Sequence, residues 1–598
     1  AGCAGGGFEN ICAAADILKG KSIGSEPEGV AAAVSAARNG MKTLLLSEDG
    51  ALGGLMTLGE LNFIDMCEGR DGTSLVEGIF REFYDMVSGS AFDITEAKNA
   101  FLALCENEDN LTLRTESHLA APIMDGDELL GVKMRETDGE KSYYAKVIID
   151  ASADADLAAL SGVPYTFAGE DIGEKDRQMG VTLVFELSGV DWGKVYRYLN
   201  FARLKAEIKH TAGGMGATAK MAWGYTDEGY GYEPHDSLMR LRGFNLARQD
   251  DGTVLVNALI IFGADVLDEE SKAEAIARGQ KELAYIIPYL RENCKGFANA
   301  SLKATAPQLY VRESRHIIGE YQLTIDDVLE NRDCWDKIAI GSYPVDVQPT
   351  AQQTYGTVVG NPDRYAIPYC SIVPLEVENL LVVGRSASYK SLAAGSARVI
   401  PIGMAEGEAA GAAAAYAVNN SVTVREIAYD KTAVASIQAT LKAQGAYLED
   451  FDLPEEIMSH WAYDGVKTLR ALGLLDGGYD NNYYLEEPMG KWRYQNMLNG
   501  VLNKAGIAHD YIEVNDNVPA RQVIGTAARA AAGFVGVKNP DDFEGYKAWL
   551  LGEGILTDEL MPYFAESEAA PESDAVIMLC ANLYKYLLAH GARGVQID

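Results

Sequence analysis

Short uninterrupted apolar runs alternate with helix-period segments over the first 170 or so residues, and the pattern returns near residue 380. "KTLLLSE" (42–48), "AKVIIDASADAD" (145–156) and "NLLVVGRSAS" (379–388) predict buried parallel strands. A strand covered on both faces needs apolar side chains at successive positions. "EGVAAAVSAARNG" (28–40) predicts a short alanine-rich helix stopped at Gly40, a residue suited to a left-handed cap. The stretch 16–50 therefore predicts strand, turn, helix, strand, with its first turn at a helix N-terminus, where backbone N–H groups favour phosphate.

Residues 166 to about 365 mix alternating segments, "GVTLVFELSGV" and "GTVLVNALIIFG", with helices such as "SKAEAIARGQKELAYIIPYLRENC". After the returning strand, "PIGMAEGEAAGAAAAYAV" (401–418) predicts a helix whose Gly403, Gly407 and Gly411 recur every four residues as one smooth face. Such a stripe also marks paired membrane helices, but Glu406 and Glu408 argue against that here. From about 432 the texture becomes aromatic and amide-rich, in "SHWAYDGVKTLRALGLLDGGYDNNYYLEEP" and a weaker echo, "YKAWLLGEGILTDE" (546–559). Two or three degenerate helical repeats are expected there.

The length of 598 residues implies several domains. A formal charge of −36 argues against a nucleic-acid partner and against direct docking on anionic lipid. Eight scattered cysteines show neither a disulfide framework nor zinc-like spacing, and seven scattered histidines offer no H-x-x-x-H pair, so no metal site is expected. No apolar run is long enough for a transmembrane segment. The first residues, "AGCAGGG", have the look of a bacterial lipoprotein processing site with Cys3 as the lipidated residue, or of a merely loose terminus. The first alternative implies an extracellular, envelope location; the second leaves the protein cytoplasmic.

Six blocks, in this order, resemble the FAD-dependent oxidoreductases related to the glutathione-reductase-type flavoproteins: "GSEPEGVAAAVSAARNG", "LLLSEDGALGGLMTLGELN", "VIIDASADADLAALSGVPY", "YVRESRHIIGEYQLTIDDV", "IPYCSIVPLEVENLLVVGRS" and "GSARVIPIGMAEGEAAGAAAA". The resemblance implies an α/β fold: a Rossmann-like FAD-binding domain (16–165 and 366–425) interrupted by a mixed α+β substrate domain (166–365). A flexible tail (1–15) would precede it and a small, mainly helical region (432–598) would follow. It also implies FAD as cofactor and a small organic molecule as substrate. Gly24 would make the tight turn after the first strand, Gly29 would allow close helix–sheet packing, and Glu48 would accept from the adenosine ribose. Gly53 and Gly54 would bring backbone beside the pyrophosphate, Asp154 and Asp156 fall in a T-G-D-G-D-like turn, and Gly384 and Arg385 match the second phosphate-side motif. Arg398 to Gly403 would aim a helix N-terminus at the flavin.

The chain departs from this pattern at three points. Glu26 stands where a glycine would let backbone approach the pyrophosphate; Lys19, Gly20 and Lys21 interrupt the expected first strand; and "ASADAD" lacks both glycines of its turn. A second reading therefore stays open, that of a non-catalytic envelope or assembly protein keeping the fold without FAD. The region 459–489 resembles surface-layer homology repeats, which implies cell-wall contact, but the segment that carries binding there reads "GKWRY" here, so a packing or oligomer-forming module is the better reading.

On the substrate side, Arg312, Arg315 and His316 in "VRESRH" are the catalytic candidates, with Arg240 and Arg242 in "MRLRGFN" beside them. Paired arginines clamp a carboxylate and His316 moves a proton near neutral pH. The alternating charges of "VRESRH" equally suit ion pairs that lock the two domains together. His235 reads as a loop histidine, and Tyr225, Tyr230 and Tyr232 as either a substrate mouth or a surface loop.

Overall fold

The computed structural model describes residues 11–14, 26–87, 89–175, 177–208, 214–538 and 542–596, with backbone alone at 11–14 and 206–208. A five-stranded parallel sheet forms its centre: β1 (Ile11–Ala14), β2 (Thr43–Leu46), β3 (Leu111–Arg114), β4 (Val147–Asp150) and β5 (Leu380–Val382), in the spatial order β5-β4-β1-β2-β3. Strands β2, β4 and β5 are the apolar runs that the sequence predicts, and all their residues are buried. The first strand lies elsewhere than expected. Ile11 pairs in parallel register with Thr43 on one side and Val147 on the other, so β1 falls inside the stretch expected to be a loose tail. The run Ile-Cys-Ala-Ala carries no charge, as a strand enclosed on both edges requires, whereas Lys19 and Lys21 interrupt the stretch expected to be that strand. Lys19–Lys21, Gly24 and Cys3 lie outside the described residues.

Helix α1 (Pro27–Arg38) follows, with Pro27 in the first turn and Gly40 at a positive φ just past its end. It packs against both the sheet and helix α4 (Ile400–Asn420), so even its outer alanines are buried. The glycine stripe of α4 sets the separation. A Cβ at Gly407 would stand 2.2 Å from the Glu28 carbonyl oxygen, and one at Gly411 would stand 2.4 Å from that of Ala32. At that distance Ser35 Oγ donates to the Glu408 carbonyl at 2.6 Å, joining the two helices directly.

A second layer is the six-stranded antiparallel sheet of the interrupting region, ordered 216–217, 221–224, 239–248, 254–261, 181–188 and 301–305. Helix α3 (Glu269–Asn293) packs on it through Leu283, Ile286 and Leu290. This core ends at Val311, and residues from Leu323 to Val373 pack into the central core instead, so the inserted unit is shorter than the expected 166–365. The helix Lys431–Ala443 likewise belongs to the central core through Val434, Ile437 and Leu441. The helical region has its own core from Tyr463 to Leu587, which moves its boundary later than 432. Buried Arg470 ties that region to Asp326 at 2.5 Å, and Lys504 reaches the Ile172 carbonyl and Glu174. In "GKWRY" Gly490 caps the helix Lys491–Lys504 and Trp492 is exposed. No helix among the described residues is long and apolar enough to cross a membrane.

Gly407→Ala is expected to cost about 1–3 kcal/mol, because the added methyl meets backbone that cannot move aside. Gly533→Ala, on an exposed helical position where a Cβ meets nothing within 4 Å, is expected to gain up to about 1 kcal/mol. Denaturation midpoints measure both, and equal midpoints would refute the packing argument.

Candidate functional site

A groove runs along the carboxyl ends of the central strands, between the parallel sheet and α3. Its wider part, a cavity of about 390 Å3, is lined among others by Glu26, Asp49, Asp154, Lys272, Gln308 and Arg385. A narrower cavity of about 40 Å3 shares Leu55, Val311 and Arg385 with it and reaches Asp65, Arg312 and Arg398 at the start of α4.

At the wide end, Gly53 has φ +93° and caps helix α2 (Gly54–Thr57), while Gly54 has φ +34°. A side chain at Gly53 would strike Phe101, and one at Gly54 would strike the Glu26 carboxyl at 2.2 Å. Glycine at both positions lets Phe101 and Glu26 pack directly against the backbone. Glu26 precedes α1 and its Oε2 accepts from Leu55 N–H at 3.0 Å. Burial raises its pKa; the Leu55 N–H and the Arg385 charge work against that. Glu28, in the first turn of α1, faces Gly384 and Gly403, where a Cβ would come within 2.4 Å of its carboxyl at the latter. Burial, and then the neighbouring Glu26, push Glu28 up to about 8. Glu406 completes this group of acids: its Oε2 accepts from Gly384 N–H at 2.9 Å, its Oε1 has no partner, and burial pushes its pKa well up. Gly29 sits inside α1, its N–H bonded to the Glu26 carbonyl.

Arg385 bridges the middle of the groove. It donates to Asp154 Oδ1 at 2.7 Å and to the Val311 carbonyl at 3.0 Å, and its Nε is buried without a partner. Burial opposes ionisation of Asp154, yet Arg385 and then Lys272 outweigh it and hold the carboxyl below its ordinary range. The "ASADAD" turn keeps its shape without glycines. Asp150 accepts from Ser152 and Ala158 N–H, and Ala155 takes the left-handed conformation at φ +51°, a strain of roughly 1–2 kcal/mol. Glu48, two residues past β2, is buried, and its Oε1 accepts from Leu119 N–H at 3.2 Å.

The structure brings Arg312 to the groove and leaves Arg315 and His316 away from it. Arg315 bonds the Asp154 carbonyl at 2.7 Å and Asp156 at 2.6 Å, the inter-segment ion pair that was the alternative reading. His316 is 1% exposed on the short strand 315–317, 3.5 Å from Glu313, with neither ring nitrogen hydrogen-bonded. Arg240 bonds the Thr354 carbonyl and lies over Tyr355 and Tyr230. Tyr225 is buried, bonded to the Lys295 carbonyl, and His235 stacks on Tyr285. Asp49, Asp65, Lys272, Gln308 and Tyr310 were missed: Asp49 and Tyr310 stand in motif blocks that give them no role, and Asp65, Lys272 and Gln308 stand outside those blocks and reach the groove through long-range packing.

Residues 23–441 match the family described as FAD dependent oxidoreductase. The chain belongs to that family. It is an FAD-dependent oxidoreductase, with FAD as its cofactor. No match was found among curated proteins. Among solved structures it is similar to a geranylgeranyl bacteriochlorophyll reductase-like protein from Thermoplasma acidophilum (11% identity, TM-score 0.36, 73% of this chain and 84% of that one). It is also similar to p-nitrophenol 4-monooxygenase from Pseudomonas putida (10% identity, TM-score 0.35, 80% and 95%) and to the myxobacterial chondrochloren halogenase (15% identity, TM-score 0.33, 78% and 90%). The family assignment rests on the family match alone.

The residues present fit a dinucleotide. The unpartnered Arg385 Nε beside the wide cavity and the first turn of α1 give an anion a place with donors around it, while the space against Gly53 and Gly54 is filled by Phe101 and Glu26. Burial disfavours the charged form of Glu26, and its Oε2 is held by Leu55 N–H, which lessens its repulsion of a phosphate.

Because the folded Glu28 pKa lies above the ordinary 4.5, its neutral form stabilises the fold fully below pH 4.5, and that contribution is lost as pH rises through about 8. Glu28→Gln is expected to be nearly neutral at pH 4.5 and to stabilise by about 1–3 kcal/mol at pH 8. Urea midpoints across that range check it; a gain that does not change with pH would contradict the assignment.

Proposed function

We propose that the family's redox chemistry takes place at the narrow end of the groove, on a small organic molecule held between Asp65, Arg312 and the first turn of α4. The observation that carries this reading is a pair of adjoining cavities that share Leu55, Val311 and Arg385. The wider one lies beside the start of α1, and the narrower one reaches buried guanidinium groups at the start of α4. Bound FAD supplies electron transfer to or from carbon. The chain's own residues do the rest. Glu48 offers acceptor oxygens at the carboxyl end of β2, where an adenosine ribose is expected. Glu26, Leu55 and Arg385 line the wide cavity next to Gly53 and Gly54, where a pyrophosphate is expected. The start of α4, with Pro401 in its first turn, directs N–H groups and a positive dipole end towards the narrow cavity. Asp65 is half-buried there; burial pushes it up to about 6 against the pull of Arg398, so it holds or releases a proton near neutrality.

The return of the chain to the same sheet through β5 after the inserted unit supports the glutathione-reductase-type reading. An envelope location, and a cell-wall or self-associating role for the helical region, are part of the same proposal. They are supported by the resemblance of residues 459–489 to surface-layer repeats.

Purified protein is expected to be yellow and to release about one FAD per chain on denaturation. Glu48→Ala is expected to weaken FAD retention about tenfold or more through loss of a charged acceptor. Colourless protein that cannot be reconstituted with FAD would overturn the reading, and unchanged FAD affinity in the variant would remove Glu48 from it.

A further inference from the structure

Arg312 is a buried cation in want of a counterion. It is 2% exposed, donates Nη1 to the Gly180 carbonyl at 2.9 Å and lies 4.1 Å from the centre of the Tyr310 ring. Among the described residues it forms no ion pair, and Asp346, the carboxylate that attracts it, acts from beyond that distance. Burial, with Arg242 and Arg398 adding repulsion against the attraction of Tyr310, pushes its pKa down to about 10. The Arg398 side chain is 6% exposed. It donates to Tyr310 Oη and to the Asp346 carbonyl, both at 3.2 Å, and stands 3.6 Å from the Asp346 carboxylate. Its Nε is buried with no partner. Arg242 donates to Asn257 at 3.2 Å and also has an unpartnered buried Nε.

Against these guanidinium groups the neighbourhood sets Asp346 and Asp65, and Asp65 is half-neutralised by its burial near pH 6. The local balance is positive, in a place screened from water. A buried charge without a partner is costly, and an anion with two acceptor oxygens is what a guanidinium pair accepts best. The wall opposite is apolar, made by Met56, Leu61, Phe63 and Ile64, which suits a hydrocarbon body behind the anionic group.

We propose that the narrow end of the groove is a carboxylate seat formed by Arg312 and Arg398, with Arg242 behind them, and that the substrate is a small organic acid. This rests on the reading of the groove given under Proposed function, with one difference: the seat is made of side chains and exists whether or not the cofactor is bound.

Calorimetric titration of the holoprotein with benzoate and succinate, against benzamide and succinamide, tests it, with FAD content measured in parallel. At least one carboxylate is expected to bind ten times or more tightly than its amide. Arg398→Gln is expected to lose that preference while keeping its FAD. Where the variant fails to fold, the wild-type comparison of acid with amide decides alone. Equal binding of acid and amide, or no binding of either acid, overturns the seat and hands the positive cluster to the flavin itself. Protein that lacks FAD yet still prefers the acids keeps the seat and overturns the groove reading instead.

Discussion

Everything in the central domain hangs on the near-contact of two helix backbones. Helices α1 and α4 approach so closely that a single methyl group at Gly407 would overlap a carbonyl oxygen of its partner. That proximity is possible only because α1 is built from alanine and valine and α4 presents glycine at every fourth position. It buries both helices against the sheet. It also fixes the first turn of α1 and the first turn of α4 as neighbours, and those two turns are the walls of the groove. The packing and the site are thus one arrangement seen at two ends of the same helix pair.

The charges follow from that burial. Glu26, Glu28 and Glu406 are enclosed together at the helix crossing, and burial raises all their pKa values, so this end of the groove carries less negative charge than its composition implies. Arg385 pairs with Asp154 in the middle. At the far end the cations outnumber their partners. Buried acids thus gather at the helix crossing and guanidinium groups at the far end, although the whole chain carries a charge of −36. Net charge says little about a site lined by groups that the solvent does not reach.

Much of the fold was legible because the signals were local. The apolar runs at 43–46, 147–150 and 380–382 read as strands and are strands, and the alanine-rich helix ends where Gly40 stops it. The first strand was misplaced because four small apolar residues after a glycine tract look like a tail until the sheet supplies two neighbours. The inserted unit and the helical region were drawn too wide, since a helix such as Lys431–Ala443 shows its own period but not which core it joins. Arg312 and Arg315 illustrate the limit for side chains. They stand three residues apart in one charged stretch, yet one lines the groove and the other is spent on Asp156. No spacing rule separates them; only the path of the backbone does.

The contact between Ser35 and Glu408 spans 373 positions of the chain. Synthesised from its N-terminus at roughly 5–20 residues per second, α1 waits on the order of half a minute before α4 exists to cover it. During that interval an alanine-rich, weakly amphipathic helix and an unfinished parallel sheet must stay apart from other growing polypeptides. Until the glycine stripe emerges, the face of α1 that it covers has no cover from its own chain.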